Sequence, residues 1–185
     1  ACYTNIAISV SFSRDQGLLK RIRGTPLPNW AFIFGRIVQS VGVGYILVAI
    51  ITLAGMIFYN VTPPTNTLPA FIVTLAIGAA TFSSLGLAVT GLIPNAEASP
   101  AIVNASILPL LFISDVFIPM HNVPEWLISF ADIFPVRHFS VALQNSFNPF
   151  ESGLGFEVTA LVVMSIWLTG GIAATIKFFS WEPRK

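Results

Sequence analysis

The stretch IVQSVGVGYILVAIITLAGMIFY, residues 37–59, contains no charged side chain. A helix of this length crosses the ~30 Å hydrocarbon core of a bilayer. Three further apolar stretches of spanning length follow it, at residues 69–93, 101–119 and 156–178. Because backbone polar groups in lipid must be paired within the protein, the four stretches predict an all-α, polytopic transmembrane helix bundle.

The composition of the whole chain agrees with this prediction. Hydrophobic residues make up 55% of the 185 residues and charged residues only 9%, whereas soluble domains contain roughly 25% charged residues. An ordinary soluble domain is therefore excluded, and we expect one transmembrane domain over residues 1–185. Residues 1–11 lack the basic leader of a signal peptide, and we expect them to end an apolar span that begins upstream.

Basic residues are distributed unequally between the loops. Arg137 is the only one in the two loops predicted on one side, residues 60–68 and 120–155. The other eight of the nine flank the spans on the opposite side: Arg14, Lys20, Arg21, Arg23, Arg36, Lys177, Arg184 and Lys185. The positive-inside rule places that side, with the tail 179–185, in the cytoplasm. We expect an integral protein of the bacterial cytoplasmic membrane.

The segment FSRDQGLLKRIRGTPLPNW, residues 12–30, lies within the predicted cytoplasmic segment 12–35 and has signals for both ends of a short helix. Ser13 and Gln16 have the spacing of a capping box, and Asp15 would lie in the first turn. Gly24 follows a cluster of cations and would end the helix. We therefore predict a helix that starts at Ser13.

This helix would be amphipathic, because Leu18, Leu19 and Ile22 fall on one face. Two functions fit an amphipathic basic helix beside a membrane. It can lie in the interface and bind anionic lipid headgroups, or it can dock on a cytoplasmic partner. The charge pattern alone does not separate them.

Residues 122–147 contain two short amphipathic stretches that meet at Pro135. Each is about 15 Å long at 1.5 Å per residue, too short to cross a membrane. They form either a hairpin that dips into the outer leaflet or a pair of helices that lie flat on the surface. In the first stretch one face is apolar, and it consists of Trp126, Leu127, Phe130, Ile133 and Phe134.

Two polar residues fall within the predicted span 101–119. Asn104 and Asp115 are separated by three helical turns, so they share a face. An acid inside a span is a functional candidate by default. Asp115 is also close to the outer interface, where hydration is available, so a role in the substrate path and a solvated structural role both stay open.

Small residues recur along the predicted span 69–93. They form a ridge that lets another helix approach closely, in the same subunit or across a dimer: Ala76, Ala80, Ser84, Ala88 and Gly91. We expect this ridge to serve packing.

Motifs for several chemistries are missing. The chain contains no G-x-x-x-x-G-K-[ST], H-E-x-x-H or G-x-S-x-G run, so we expect no catalytic residue and no bound nucleotide. Cys2 is the only cysteine, and His121 and His138 have no clustered third ligand, so we expect no metal site. Membrane sidedness accounts for the cations, so nothing indicates nucleic acid.

Two segments carry a family resemblance. Residues 12–30 strongly resemble the first cytoplasmic loop of type-2 ATP-binding-cassette (ABC) exporter permeases, which include drug-resistance and polysaccharide-export subunits. LPLLFISDVFIPMHNVPEWLISFADIFPVRHF, residues 108–139, resembles the fifth span and outer hairpin of that family. The resemblance implies that the first span and most of the second are missing, and that the four complete spans are the third to sixth.

The resemblance also implies a function. The chain would be a non-catalytic permease subunit that exports a hydrophobic or amphiphilic compound, or a lipid-linked glycan. It would pair with an identical or different second permease and contact membrane lipids, while a P-loop ATPase subunit binds ATP and Mg²⁺. The residues expected to couple to the ATPase are Arg14, Asp15, Gln16, Gly17, Leu18, Leu19, Lys20 and Ile22. The re-entrant hairpin would help close an outer gate, and the expected path and gate residues are Asn104, Asp115, Trp126, Phe130, Asp132 and Arg137.

Two other classes of function remain. A membrane enzyme or assembly factor could use the paired acids Glu125 and Asp132 on lipid-linked substrates, although a metal site or positioned nucleophile is missing. An ion-coupled secondary transporter would be active without an ATPase. It would also need several buried ionisable residues, whereas the predicted spans offer Asp115.

Overall fold

A computed structural model describes residues 2–25, 28–60, 66–112, 114, 125–147 and 155–179. This part of the chain is all-helical, which confirms the predicted fold class. It contains eight helices: α1 (Cys2–Asp15), α2 (Leu18–Arg23), α3 (Asn29–Tyr59), α4 (Leu68–Thr90), α5 (Ser99–Phe112), α6 (Glu125–Ala131), α7 (Pro135–Ser146) and α8 (Val158–Phe178).

Three of these helices, α3, α4 and α8, are long and apolar enough to cross a membrane. Helix α5 is a shorter apolar helix of 14 residues. The predicted span 101–119 begins in α5, and its residues 113 and 115–119 lie outside the described part of the chain. The apolar helices make the chain an integral membrane protein.

Helix α4 is the centre of the bundle and contacts α1, α3, α7 and α8. Its small residues explain the close packing. A Cβ added at Gly86 would lie 2.6 Å from the Tyr3 carbonyl oxygen in α1. On another side, the Thr175 hydroxyl of α8 lies 3.3 Å from the Ser84 carbonyl oxygen. Ser84 belongs to the predicted ridge of small residues, so this part of the ridge packs within the subunit.

Buried hydroxyl groups in α4 are satisfied by backbone carbonyls. The Ser83 hydroxyl donates to the Ala79 carbonyl oxygen at 2.6 Å, and the Thr81 hydroxyl donates to the Ile77 carbonyl oxygen at 2.7 Å. Such bonds to the preceding turn pair a polar side chain where no water is present. Polar residues can therefore lie inside this apolar bundle without forming a polar site.

The two ends of the bundle are distinct. At one end, here called the basic end, α1 leads into α2, and Arg14 near the end of α1 contacts the connection between α4 and α5 at Ile93. At the other end, the hairpin end, the Thr67 hydroxyl before α4 donates to the carbonyl of Ser146 in α7. Asn145 also bonds Glu157, the residue before α8, at 2.7 Å. The connection after α4 and the segments before α4 and α8 thus lie at opposite ends of the bundle, as expected when successive spans alternate in direction.

Candidate functional site

The helix predicted to start at Ser13 does not start there, because α1 continues through Ser13 to Asp15. The Ser13 hydroxyl donates to the Ser9 carbonyl oxygen, one turn back in α1, at 2.8 Å. The predicted capping box is therefore wrong. The chain turns instead at Gly17, whose φ of +73° is accessible to glycine at little cost. Helix α2 then begins at Leu18 and ends before Gly24, the end that the sequence predicts.

The apolar residues of α2 differ in burial. Leu19 is fully buried in a cluster formed with α1, α3 and α4, and Ile22 packs against the same cluster. Leu18 is 45% exposed, and its neighbours Lys20 and Arg21 are exposed as well. Leu18 and Ile22 are four residues apart and so lie on the same side of the helix, which leaves Leu18 at the exposed edge of the predicted apolar face. Two apolar residues fix α2 to the bundle, and Leu18, Lys20 and Arg21 form its outward surface.

Arg14 lies inside the protein, with only 2% of the residue exposed. Its guanidinium donates to the carbonyl oxygens of Ile93 at 2.7 Å and Thr90 at 3.1 Å. Thr90 is the last residue of α4, so the cation lies where the carbonyl groups and the dipole of a helix C-terminus favour positive charge. A docking partner would not reach this side chain.

Asp15 completes the contact between α1 and the connection that follows α4. Its Oδ2 accepts a hydrogen bond from the backbone amide of Ala96 at 2.5 Å, and its Oδ1 lies 3.7 Å from Nε of Arg14. Sequence reasoning placed both residues on the coupling surface and missed this contact. The adjacent opposite charges before Gly17 were a signal of a polar contact. Their partners could not be identified from the sequence, because they lie about 80 residues away along the chain.

The hairpin of α6 and α7 descends along α8. The indole Nε1 of Trp167 donates to the Ile133 carbonyl oxygen, between α6 and α7, at 2.8 Å. The Phe134 ring stacks on Trp167 with 6.0 Å between centroids. Trp167 lies nine residues beyond Val158, the start of α8, which is about 14 Å at 1.5 Å per residue. Since α7 ends at Ser146, back at the hairpin end, this geometry fits a re-entrant hairpin better than a flat pair.

The turn of this hairpin carries a polar group. Arg137 pairs with the carboxylate of Asp132, and Nε2 of His138 lies 2.9 Å from the Asp132 carbonyl oxygen. Of the predicted gate residues, the structure brings Asp132 and Arg137 together. Trp126 is 69% exposed and Phe130 is 47% exposed on α6, and the Phe130 ring packs against that of Phe134 with 5.3 Å between centroids.

Of the predicted pair Asn104 and Asp115, only Asn104 belongs to the described residues. Asn104 lies on an exposed part of α5, and Asp115 lies outside the described residues. A mainly apolar cavity of about 600 Å³ lies nearby, bounded by α1, α3, α4, α5 and α7. Its lining includes Tyr3, Phe82 and Phe139. Within the described part of the chain, no group of three or more His, Cys, Asp and Glu side chains could hold a metal.

Comparisons with known proteins agree on one family. The family model described as "ABC-2 type transporter" matches residues 1–148. Two curated proteins, each a "Probable multidrug ABC transporter permease YbhR", from Escherichia coli K12 and O157:H7, are 27% identical to the chain over 134 residues. The match covers 72% of this chain and 36% of each relative, so the chain spans about a third of their length. No solved structure gives a significant match.

Proposed function

We propose, from the premise that this chain belongs to the ABC-2 type transporter family, that it is part of the permease subunit of an ABC exporter. Two permease subunits, identical or different, would form a path across the membrane. A separate P-loop ATPase would bind ATP and Mg²⁺ and drive the export. The observation that carries the proposal is the outward surface of α2.

The division of apolar residues in α2 favours a protein partner over lipid as its ligand. A helix that lies in a membrane interface needs a broad apolar face to insert. In α2, Leu19 and Ile22 are used inside the bundle, and Leu18 alone is directed outward, beside Lys20 and Arg21. One leucine next to two cations fits an apolar pocket with an acidic rim on a soluble subunit. Because Leu19 is buried among residues of α1, α3 and α4, a displacement of α2 by a partner would also displace those helices.

The basic end of the bundle faces the cytoplasm in this proposal. In the sequence, eight of the nine Lys and Arg residues flank the predicted spans on the side that includes Arg14, and Arg137 is the exception. The positive-inside rule and the cytoplasmic location of an ATPase give the same orientation. The hairpin of α6 and α7 then lies in the outer leaflet of a bacterial cytoplasmic membrane.

The proposed cargo is a hydrophobic or amphiphilic compound or a lipid-linked glycan. The names of the curated relatives, probable multidrug permeases, support the first class. The apolar lining of the cavity beneath the hairpin is compatible with it. The proposed outer gate consists of Trp126, Phe130, Asp132 and Arg137, and Asn104 and Asp115 remain proposed residues of the path.

Purification of the full-length permease with its ATPase tests the proposal. We expect the wild-type pair to co-purify and Leu18→Glu to abolish the complex while the permease still accumulates in the membrane. Leu92→Glu is the matched control, because Leu92 is a 73% exposed leucine at the same end. A wild-type permease without an ATPase, or equal loss of the complex in both variants, would overturn the proposal.

A further inference from the structure

Two adjacent side chains at the end of α1 bind the last residue of α4 and the connection between α4 and α5. Arg14 donates to the carbonyls of Thr90 and Ile93, and Asp15 accepts from the amide of Ala96. Helix α2 follows Asp15 after only Gln16 and Gly17. We infer that Arg14 and Asp15, here called the clamp, transmit movement of α2 to α5. The inference rests on the proposed function, since it assumes that a partner moves α2.

The hydrogen bonds of the clamp are costly to break. A buried guanidinium must remain hydrogen-bonded, because an unpaired charge inside the bundle is costly. Arg14 therefore cannot separate from the end of α4 without losing its pairing. Asp15 lies 3.7 Å from the Arg14 guanidinium, which orients the carboxylate toward Ala96. The end of α1 and the connection must then move together.

The connection is in turn rigidly joined to α5. The Ser99 hydroxyl at the start of α5 donates to the Ala96 carbonyl oxygen at 2.6 Å. The amide of Ala98 donates to the Asn95 side chain at 2.8 Å. The residue that Asp15 binds is thus hydrogen-bonded to the first residue of α5, so a displacement at Asp15 reaches α5 without a flexible linker.

A second contact joins α1 and α5 farther into the bundle. The hydroxyl oxygens of Tyr3 and Ser106 lie 2.6 Å apart. With the clamp at one end and this bond near the other, α1 and α5 are connected at two levels. Helix α5 carries Asn104, the proposed path residue. Movement of α2 would therefore change the path itself.

Variants at Asp15 distinguish this positioning role from direct contact with the ATPase. Asp15→Asn keeps an oxygen that accepts the Ala96 hydrogen bond but loses the charge, whereas Asp15→Ala loses both. In the full-length permease and ATPase complex, we expect Asp15→Ala to lower transport about tenfold. Asp15→Asn should retain most of the transport. The control is Arg36→Gln, which removes a charge at the same end.

A distance measurement tests the clamp independently of any ATPase. Spin labels on Thr25→Cys and Glu97→Cys, both exposed positions, report the separation of α2 from the connection in a full-length permease whose native cysteines, Cys2 among them, are replaced by serine. We expect a narrow distribution in the otherwise wild-type chain and a broad one with Asp15→Ala. An unchanged distribution, or equal loss of transport in Asp15→Asn and Asp15→Ala, would overturn the clamp. Absence of an ATPase from the wild-type preparation would instead contradict the proposed function.

Discussion

The indole nitrogen of Trp167 and the backbone carbonyl of Ile133 are joined by a hydrogen bond of 2.8 Å. This bond fixes the turn between α6 and α7 to a point about 14 Å along α8. The Phe134 ring, stacked on the same indole, adds an apolar contact. The depth of the proposed outer gate is therefore set by one tryptophan in a spanning helix.

Trp167→Phe should loosen the hairpin without removing the ring contact. Phenylalanine can still stack on Phe134, but the Ile133 carbonyl loses its donor, at a cost of about 1 kcal/mol. We expect a lower thermal unfolding temperature in detergent and faster proteolysis between α6 and α7. Trp30→Phe is the control, because Trp30 is 67% exposed. Equal stability of the two variants would show that the Trp167 bond does not hold the hairpin.

Gly78→Ala should separate α7 from α4. A Cβ at Gly78 would overlap the Phe139 ring, which also packs edge-on against Phe82 at 5.5 Å. Overpacking of this kind costs ~1–3 kcal/mol, so thermal stability should fall. In α3, Gly42→Ala meets no atom within 4 Å and should be neutral or slightly stabilising. If Gly78→Ala were as stable as Gly42→Ala, the close contact between α4 and α7 would be wrong.

Asp132 and Arg137 should be energetically coupled. Asp132→Asn leaves the Arg137 cation at the hairpin turn without its counterion, and Arg137→Gln leaves the Asp132 carboxylate without its counterion. The double variant removes both charges of the pair. We expect a double-mutant cycle of thermal unfolding to give a coupling energy of about 0.5 kcal/mol or more. Strictly additive effects would contradict the pair.

The sequence predicted the three long apolar helices α3, α4 and α8, because a spanning stretch is a local property of composition. It also predicted the start of α7 at Pro135 and the end of α2 before Gly24, because both depend on residues at the boundary itself. The role of the small residues was likewise predictable at Ser84. Which helix approaches Ser84 depends on the fold, and no local pattern contains that information.

The start of α2 was mispredicted for a physical reason. A serine followed three residues later by glutamine resembles a capping box, but a serine inside a helix can bond the preceding turn instead. Ser13 does so, and the chain turns at Gly17. The burial of Arg14 was missed because its partners, Thr90 and Ile93, lie at and just after the end of a different helix, α4. A charge cluster near a membrane does not reveal which cation faces inward.

The central claim is that the outward surface of α2 contacts an ATPase. A photoreactive amino acid at Leu18 of the full-length permease, with the ATPase present, tests this contact directly. Leu53 in the middle of α3 is the control position, because it is exposed on an apolar spanning helix. We predict a crosslinked permease and ATPase pair from Leu18 and none from Leu53. Crosslinks from Leu18 to lipid alone would contradict the account.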